Sequence, residues 1–429
     1  MPIATPPGYR ALAETDVAAY LGGLPPIAAR LGGGAERWQV REVGDGNLNL
    51  VFIVEGPEGA VCVKQALPYV RVAGEGWPMP LERAFFEHRA AIAQAPRVPG
   101  LVPEMLHYDE HLFLMVMERL TPHIIMRKGM IAATVYPRFA EHIAEYLAQT
   151  LFGSSDLAMP AAAKKAQVAL FCANTDLCKI TEDLIFTDPY MVHPRNRWTS
   201  PQLDAAAAAI RADAPLKRAV SLLKLKFLTE AQALLHGDLH TGSIMVTDRD
   251  TRVIDPEFAF CGPMGFDVGK LLGNLLMSYF SQDGHETRPG ARDAYRDWVL
   301  ATVEAVWAGF AQRFVALWNG PRDGDAFPPA LFEGPDGAAS LGLAQAAFLR
   351  GLLTDALGYA GTAMIRRTLG FAHNADFETI ADPDRRAARE RLNLELAREL
   401  ILGAASISGW REVTARAREL RARGPRFPG

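Results

Sequence analysis

Apolar and polar positions along the chain follow two regimes, and the change lies close to Leu120. Residues 10–31 have helical spacing, with Thr15 and Asp16 as candidate caps. From Trp38 to Ala66 the pattern becomes that of strands. WQVREV, LNLVFIVE and AVCVKQA are rich in β-branched and apolar residues, and the Gly-containing turns GDGN and GPEG separate them. Residues 68–80 carry the glycines and prolines of an exposed loop, residues 81–95 return to helical spacing, and the apolar run 111–120 predicts a buried strand ending near Glu118.

Beyond Leu120 helical patterns predominate, at 141–152, 161–171, 203–214 and 216–235, and again from Gly265 on. Two short strands, SIMVTD and TRVID, interrupt them, and a Gly/Pro/Asp-rich loop covers 319–339. A sheet-rich segment followed by a helical one predicts an α+β fold of two lobes, residues 1–120 and 121–429. Ligands favour the cleft between two such lobes.

Composition narrows the function classes. The 429 residues carry a net charge of −4 with no long run of either sign, which argues against a nucleic-acid platform. The four cysteines form no CxxC pair, so neither a zinc site nor a disulfide framework is suggested, and reduced thiols are expected. The first residues lack the basic stretch and apolar core of a signal peptide. No apolar run is expected to reach the ~18–20 residues of a membrane span. These features together predict a soluble, cytoplasmic protein without membrane partners.

The strongest chemical signal is HGDLHTGSIMV followed by TRVIDPEF. His236, Gly237 and Asp238 are expected to end a helix and open a loop, with Asp255 at a strand end and Glu257 two residues on. Phosphoryl transfer to a hydroxyl needs one carboxylate to orient the hydroxyl and accept its proton, and another to hold Mg²⁺ on the phosphates. Asp238 suits the first duty and Asp255 the second. In an extended D-x-E segment Glu257 leaves on the same side as Asp255 and can add an oxygen to the metal. A plain turn at HGD and a capping role for Asp255 are the alternative.

A second signal lies in the N-terminal hairpin. Gly44, Asp45, Gly46 and Asn47 form a turn whose backbone can approach phosphate, and Lys64 sits on the following strand. Val61 and Val63 point to one face, Cys62 and Lys64 to the other. A lysine among apolar residues is costly unless paired, and Glu87 is the expected partner, with Glu82 its competitor. Such turns are also common in hairpins without phosphate, and Asn49 stands where a full GxGxxG would have its third glycine. Arg366 and Arg367 lie near the end of a mostly apolar helix, about 100° apart, where a solvated pair is the alternative to a binding role. Trp77, in a Gly/Pro loop, is a candidate lid, and Trp198 is a candidate cover or a packing residue.

The HGD loop resembles that of the aminoglycoside phosphotransferase and choline kinase-like superfamily, whose form is HGDxxxxN. Here Ser243 stands in the asparagine's place. Within that superfamily, HGDLHTGS, DPEFAF and the arginine pair are similar to those of the methylthioribose kinases, over about Ala13 to Arg411. The resemblance implies a protein-kinase-like bilobal fold with an ATP-binding first lobe and a second lobe that carries the catalytic loop and substrate site. It implies that the Glu118 carbonyl and the Leu120 N–H meet adenine, and that Arg366 and Arg367 contact the sugar and the transferred phosphate. Ser243 is left as a second contact of undecided role, and His240 as a loop brace or phosphate contact. The implied reaction is transfer from ATP, with Mg²⁺, to the anomeric 1-hydroxyl of S-methyl-5-thioribose in methionine salvage, by a homodimer. The rivals are a same-fold kinase acting on choline, homoserine or an aminoglycoside, and a non-catalytic ATP-binding scaffold. A cationic substrate would call for an acidic, aromatic pocket, which the arginine pair opposes. A protein kinase is disfavoured because no APE segment follows Asp255.

Overall fold

The alternating segment between Trp38 and Ala66 becomes three antiparallel strands, Gln39–Glu42, Asn49–Glu55 and Ala60–Ala66. This computed structural model describes residues 5–44, 48–70 and 74–427. The strand Leu114–Glu118 pairs with Ala60–Ala66, and the strand Met105–Asp109, which the sequence pattern did not predict, completes a five-stranded antiparallel sheet. The α+β expectation holds: strands concentrate before Leu120 and helices after it.

The chain forms two compact units. The first comprises Met1–His123 with Asn174–Leu177 and Arg252–Ala259, and the second comprises the remainder. In the first, the helices Glu14–Gly22 and Pro25–Leu31 bury Val17, Leu21, Ile27 and Leu31 against Phe52, Val54, Val61 and Val63 on one face of the sheet. Ala84, on the helix Arg83–Gln94, packs with Ala66 and Met115 in a separate cluster. Period-two alternation thus commits the valines to one core and leaves Lys64 for the opposite face. The first helical segment is capped at Ala13, whose N–H donates to Asp16, and not at Thr15. Residues 68–80 also depart from the loop expected of them, since Tyr69–Val70 pairs with Gly74–Pro78.

The second unit centres on the helix Gly265–Ser281, every residue of which is buried. It packs against the 33-residue helix Gly337–Leu369 through Gly265, Gly269 and Gly273. A Cβ on Gly269 would lie 2.2 Å from the Ala356 carbonyl oxygen, and one on Gly273 would lie 2.9 Å from that of Ala360. Glycine at every fourth position clears one face and lets the two backbones close. The helix Asp293–Asn319 corrects one expectation: by length and composition alone, at 27 residues, it is long and apolar enough to cross a membrane. Much of its apolar surface is nonetheless internal, including Val303, Val306, Phe310 and Phe314, and the Phe314 ring meets Phe152 of the helix Phe139–Gly153 at 5.3 Å.

Candidate active site

Two clusters of mostly buried charge hold Lys64, Glu87, Asp255 and Glu257 on the one hand and Asp238, Arg366 and Arg367 on the other. In the first unit, Lys64 Nζ donates to Glu87 Oε1 at 2.8 Å and also contacts Asp255 Oδ1. Glu82 precedes the helix Arg83–Gln94, and Glu87 lies one turn inside it. Burial alone would strip the proton from Lys64, but Asp255, Glu87 and Glu257 outweigh it and raise the ammonium's pKa. Burial pushes Glu87 up to about 8, against the pull of Lys64. Carboxylate oxygens of Glu87, Asp255 and Glu257 all lie within 4.8 Å of one another.

The DPE segment reaches this arrangement by a route other than an extended strand. The strand ends at Val253, and Asp255 has a φ of 69°, in the left-handed region that few non-glycine residues adopt. Glu257 is fixed by Asn49 Nδ2, which donates to its Oε2 at 3.0 Å, while Arg83 Nε stands 3.6 Å from the same oxygen. Arg83 also donates to Asn49 Oδ1 at 2.9 Å and to the Leu48 carbonyl at 3.0 Å. The departure from GxGxxG at Asn49 therefore has a use: its amide braces a carboxylate. Gly44 lies in an exposed turn, whereas Asp45, Gly46 and Asn47 lie outside the described residues. Glu118 closes its strand, and its carboxylate accepts from the Glu104 N–H and lies 3.3 Å from Arg252. Leu120 follows in the connecting segment. Trp77 is half-buried in the Gly74–Pro78 strand.

The second cluster surrounds Asp238. His236-Gly237-Asp238 follows a two-residue strand, Ala233–Leu234, which pairs with Cys261–Gly262; the helix before it ends at Thr229, so no helix runs into the loop. Asp267, in the first turn of Gly265–Ser281, accepts the His236 N–H at 2.6 Å and the Gly237 N–H at 3.0 Å. Lys270, one turn on, contacts Asp238 Oδ1. His240 Nε2 stands 3.4 Å from Asp238 Oδ2. Burial would raise the Asp238 carboxyl, but Lys270, His240 and Arg367 hold it well below the usual carboxylate range.

Arg366 and Arg367 end the long helix, and both reach the Ala372 carbonyl, at 3.5 and 3.0 Å. Arg367 is 8 % exposed, and Arg366 Nε is buried without a hydrogen-bond partner among the described residues. Burial lowers the pKa of both guanidiniums, Arg366 lowers that of Arg367 further, and Asp238 opposes both shifts. Arg127 adds a third guanidinium, tied to the Thr241 hydroxyl at 3.2 Å and 3.4 Å from Asp376. Ser243 is spent on the loop itself: its hydroxyl lies 2.9 Å from the Asp238 and His240 carbonyls and 2.9 Å from the His240 N–H. Trp198 packs beside the helix Asp204–Ala212, donating to Asp204 at 2.7 Å, with Arg211 5.1 Å above its ring.

Sequence reasoning did not single out Arg83, Arg127, Asp267 or Lys270. Lys270 carried a readable signal, as the lone cation within the mostly apolar GFDVGKLLGNLLMSYFS. Arg127 and Arg83 carried none, because each looks like an ordinary charged position on a short helical stretch.

Residues 39–310 match the phosphotransferase enzyme family. The chain is 48% identical over 399 residues to methylthioribose kinase 1 of Oryza sativa subsp. japonica, which covers 92% of each chain. It is 47% identical over 401 residues to the methylthioribose kinase of Escherichia coli O45:K1 (strain S88 / ExPEC), covering 93% of this chain and 95% of that one. Identity of this depth, spread over nearly the full length of both partners, means that the chain belongs to the methylthioribose kinases, small-molecule kinases of the phosphotransferase enzyme family.

Proposed function

We propose that the protein transfers the γ-phosphoryl group of ATP to the anomeric 1-hydroxyl of S-methyl-5-thio-D-ribose, a step of methionine salvage. The observation that carries this reading is a carboxylate, Asp238, kept ionised among Lys270, His240 and Arg367, with the unpartnered Nε of Arg366 close at hand. Asp238 orients the sugar hydroxyl and accepts its proton as the new O–P bond forms. The bond from the γ-phosphorus to the β,γ-bridging oxygen breaks, and ADP departs with that oxygen. Arg366 and Arg367 supply charge and forked donors to the sugar hydroxyls and the phosphoryl oxygens.

The nucleotide duties fall to the first unit. Lys64, fixed by Glu87, serves the α- and β-phosphates, and Gly44 and the residues after it supply backbone N–H groups. The Glu118 carbonyl and Leu120 N–H serve the adenine. Asp255 and Glu257 would hold Mg²⁺; an all-oxygen donor set brought within 4.8 Å suits a hard divalent cation. Bound there, Mg²⁺ offsets negative charge on the phosphate oxygens. Ser243 is a loop brace in this reading, since its hydroxyl is already engaged. Trp77 remains the candidate lid, and Trp198 a packing residue. The homodimeric state follows the family resemblance, and the cytoplasmic setting rests on the sequence features.

The test is a coupled ADP-release assay with methylthioribose, choline, homoserine and an aminoglycoside as acceptors. Methylthioribose should give the highest kcat/KM. Preferential turnover of any of the other three would overturn the assignment, and no turnover of any acceptor would favour an ATP-binding scaffold.

A further inference from the structure

We infer that Lys270 is a positioning residue for the phosphoryl-transfer step, clamping one oxygen of the Asp238 carboxylate while His240 faces the other. The inference rests on Asp238 being the base proposed above. Lys270 is 4 % exposed, and its ammonium reaches both Asp238 Oδ1 and, at 3.3 Å, the Gly237 carbonyl. It projects from the helix Gly265–Ser281, which the glycine stripe seats tightly against Gly337–Leu369. Asp267, three residues earlier, holds the His236 and Gly237 N–H groups from the same helix. One rigid element thus grips the loop backbone with a carboxylate and its side chain with an ammonium.

His240 completes the clamp. Its Nδ1 accepts the Gly242 N–H at 2.9 Å and the Ser243 N–H at 3.1 Å. Two donors on Nδ1 leave the ring proton on Nε2, directed at Asp238 Oδ2 3.4 Å away. Burial drives the His240 pKa down to about 3, so the ring is neutral and adds a dipole, not a charge. Lys270 is then the cation in contact with the carboxylate. A buried lysine is costly unless its partner is charged, so the pair holds Asp238 in its basic form as well as in place.

The groups facing Asp238 are Lys270, His240, Arg127, Arg366 and Arg367. Because they depress its pKa, the active form persists above that lowered value and is lost only as pH falls through it. Removing Lys270 raises the pKa, so the acid limb of kcat moves to higher pH. The experiment compares Lys270→Met and Lys270→Arg with wild type in pH profiles of kcat at saturating ATP and sugar, alongside thermal melts. Lys270→Met should lower kcat roughly 10- to 100-fold at neutral pH and raise the acid limb by about one pH unit or more, with the KM for ATP near wild type. Lys270→Arg, which keeps the charge, should restore the acid limb. A Lys270→Met limb that coincides with wild type overturns the inference. If Lys270→Met gives no cooperative melt, Lys270→Gln and Lys270→Arg are compared in the same profile, and coincident limbs again overturn it. Asp238→Asn run in parallel separates the two ideas: an active Asp238→Asn enzyme removes the base assignment, whereas an inactive one with a normal Lys270→Met profile removes only the clamp.

Discussion

The two charged clusters have opposite make-up. In the first unit, Glu87, Asp255 and Glu257 crowd around Lys64 and Arg83. In the second, Lys270, Arg127, Arg366 and Arg367 gather with Asp238 and Asp376. In the first, the carboxylates raise the pKa of Lys64 against the effect of burial, which marks a surplus of negative charge. In the second, the surrounding cations hold the Asp238 carboxyl low against the effect of burial, which marks a surplus of positive charge. Uncompensated buried charge is expensive, so each surplus indicates the class of partner that would relieve it. A divalent cation suits the first cluster, and an anionic or hydroxyl-rich group suits the second.

The largest expected effect comes from deleting the anion at the heart of the cation-rich cluster. Asp238→Asn should cut kcat ~10²- to 10⁴-fold while leaving ATP affinity nearly intact. A variant that keeps more than about a tenth of wild-type kcat would show that another group does this work.

The acid-rich cluster should respond through the metal. Asp255→Asn should raise the Mg²⁺ concentration for half-maximal rate by up to ~100-fold, and Glu257→Gln by less, because Asn49 and Arg83 already engage Glu257. Mg²⁺ titrations of both variants that overlay wild type would remove the metal assignment.

Arg366→Lys and Arg367→Lys keep the charge but lose the fork. Each should raise sugar KM and lower kcat, together roughly ten- to a hundred-fold, as expected for one lost charge-assisted hydrogen bond. ATP binding measured separately should not change. Wild-type kinetics in both would reduce the pair to a helix end.

The smallest effect is on stability. Arg367 is crowded by Arg366 and buried at a cost, so Arg367→Met should leave the protein as stable or more so, by ~1–2 kcal/mol at low salt. Inorganic phosphate should raise the melting temperature of wild type more than that of the variant. A marked loss of stability in Arg367→Met, with an unchanged phosphate effect, would make the arginine structural.

Much of this was legible in the chain because the signals were local. HGDLHTGS, DPEF, the strand lysine and the arginine pair are contiguous motifs, and the valine alternation fixed which way Lys64 points. The strand Met105–Asp109 was not legible, because its residues are all half-buried and show no alternation. The helix expected to run into His236 was also wrong. The segment leading to it lies in the buried strand pair with Cys261–Gly262, and tertiary pairing overrode helical composition.

By itself the sequence determined the order of sheet and helix, the candidate acids and bases, and the family to which their spacing belongs. Periodicity and motif spacing are properties of neighbours in the chain, and they survive without a fold. Only the tertiary structure decided which charges meet. Asn49 reaches Glu257 across 208 positions, Lys64 reaches Asp255 across 191, and Lys270 reaches Asp238 from a helix that three glycines seat against Gly337–Leu369. Electrostatic energy depends on distance in space and on burial, and neither is a function of position along the chain.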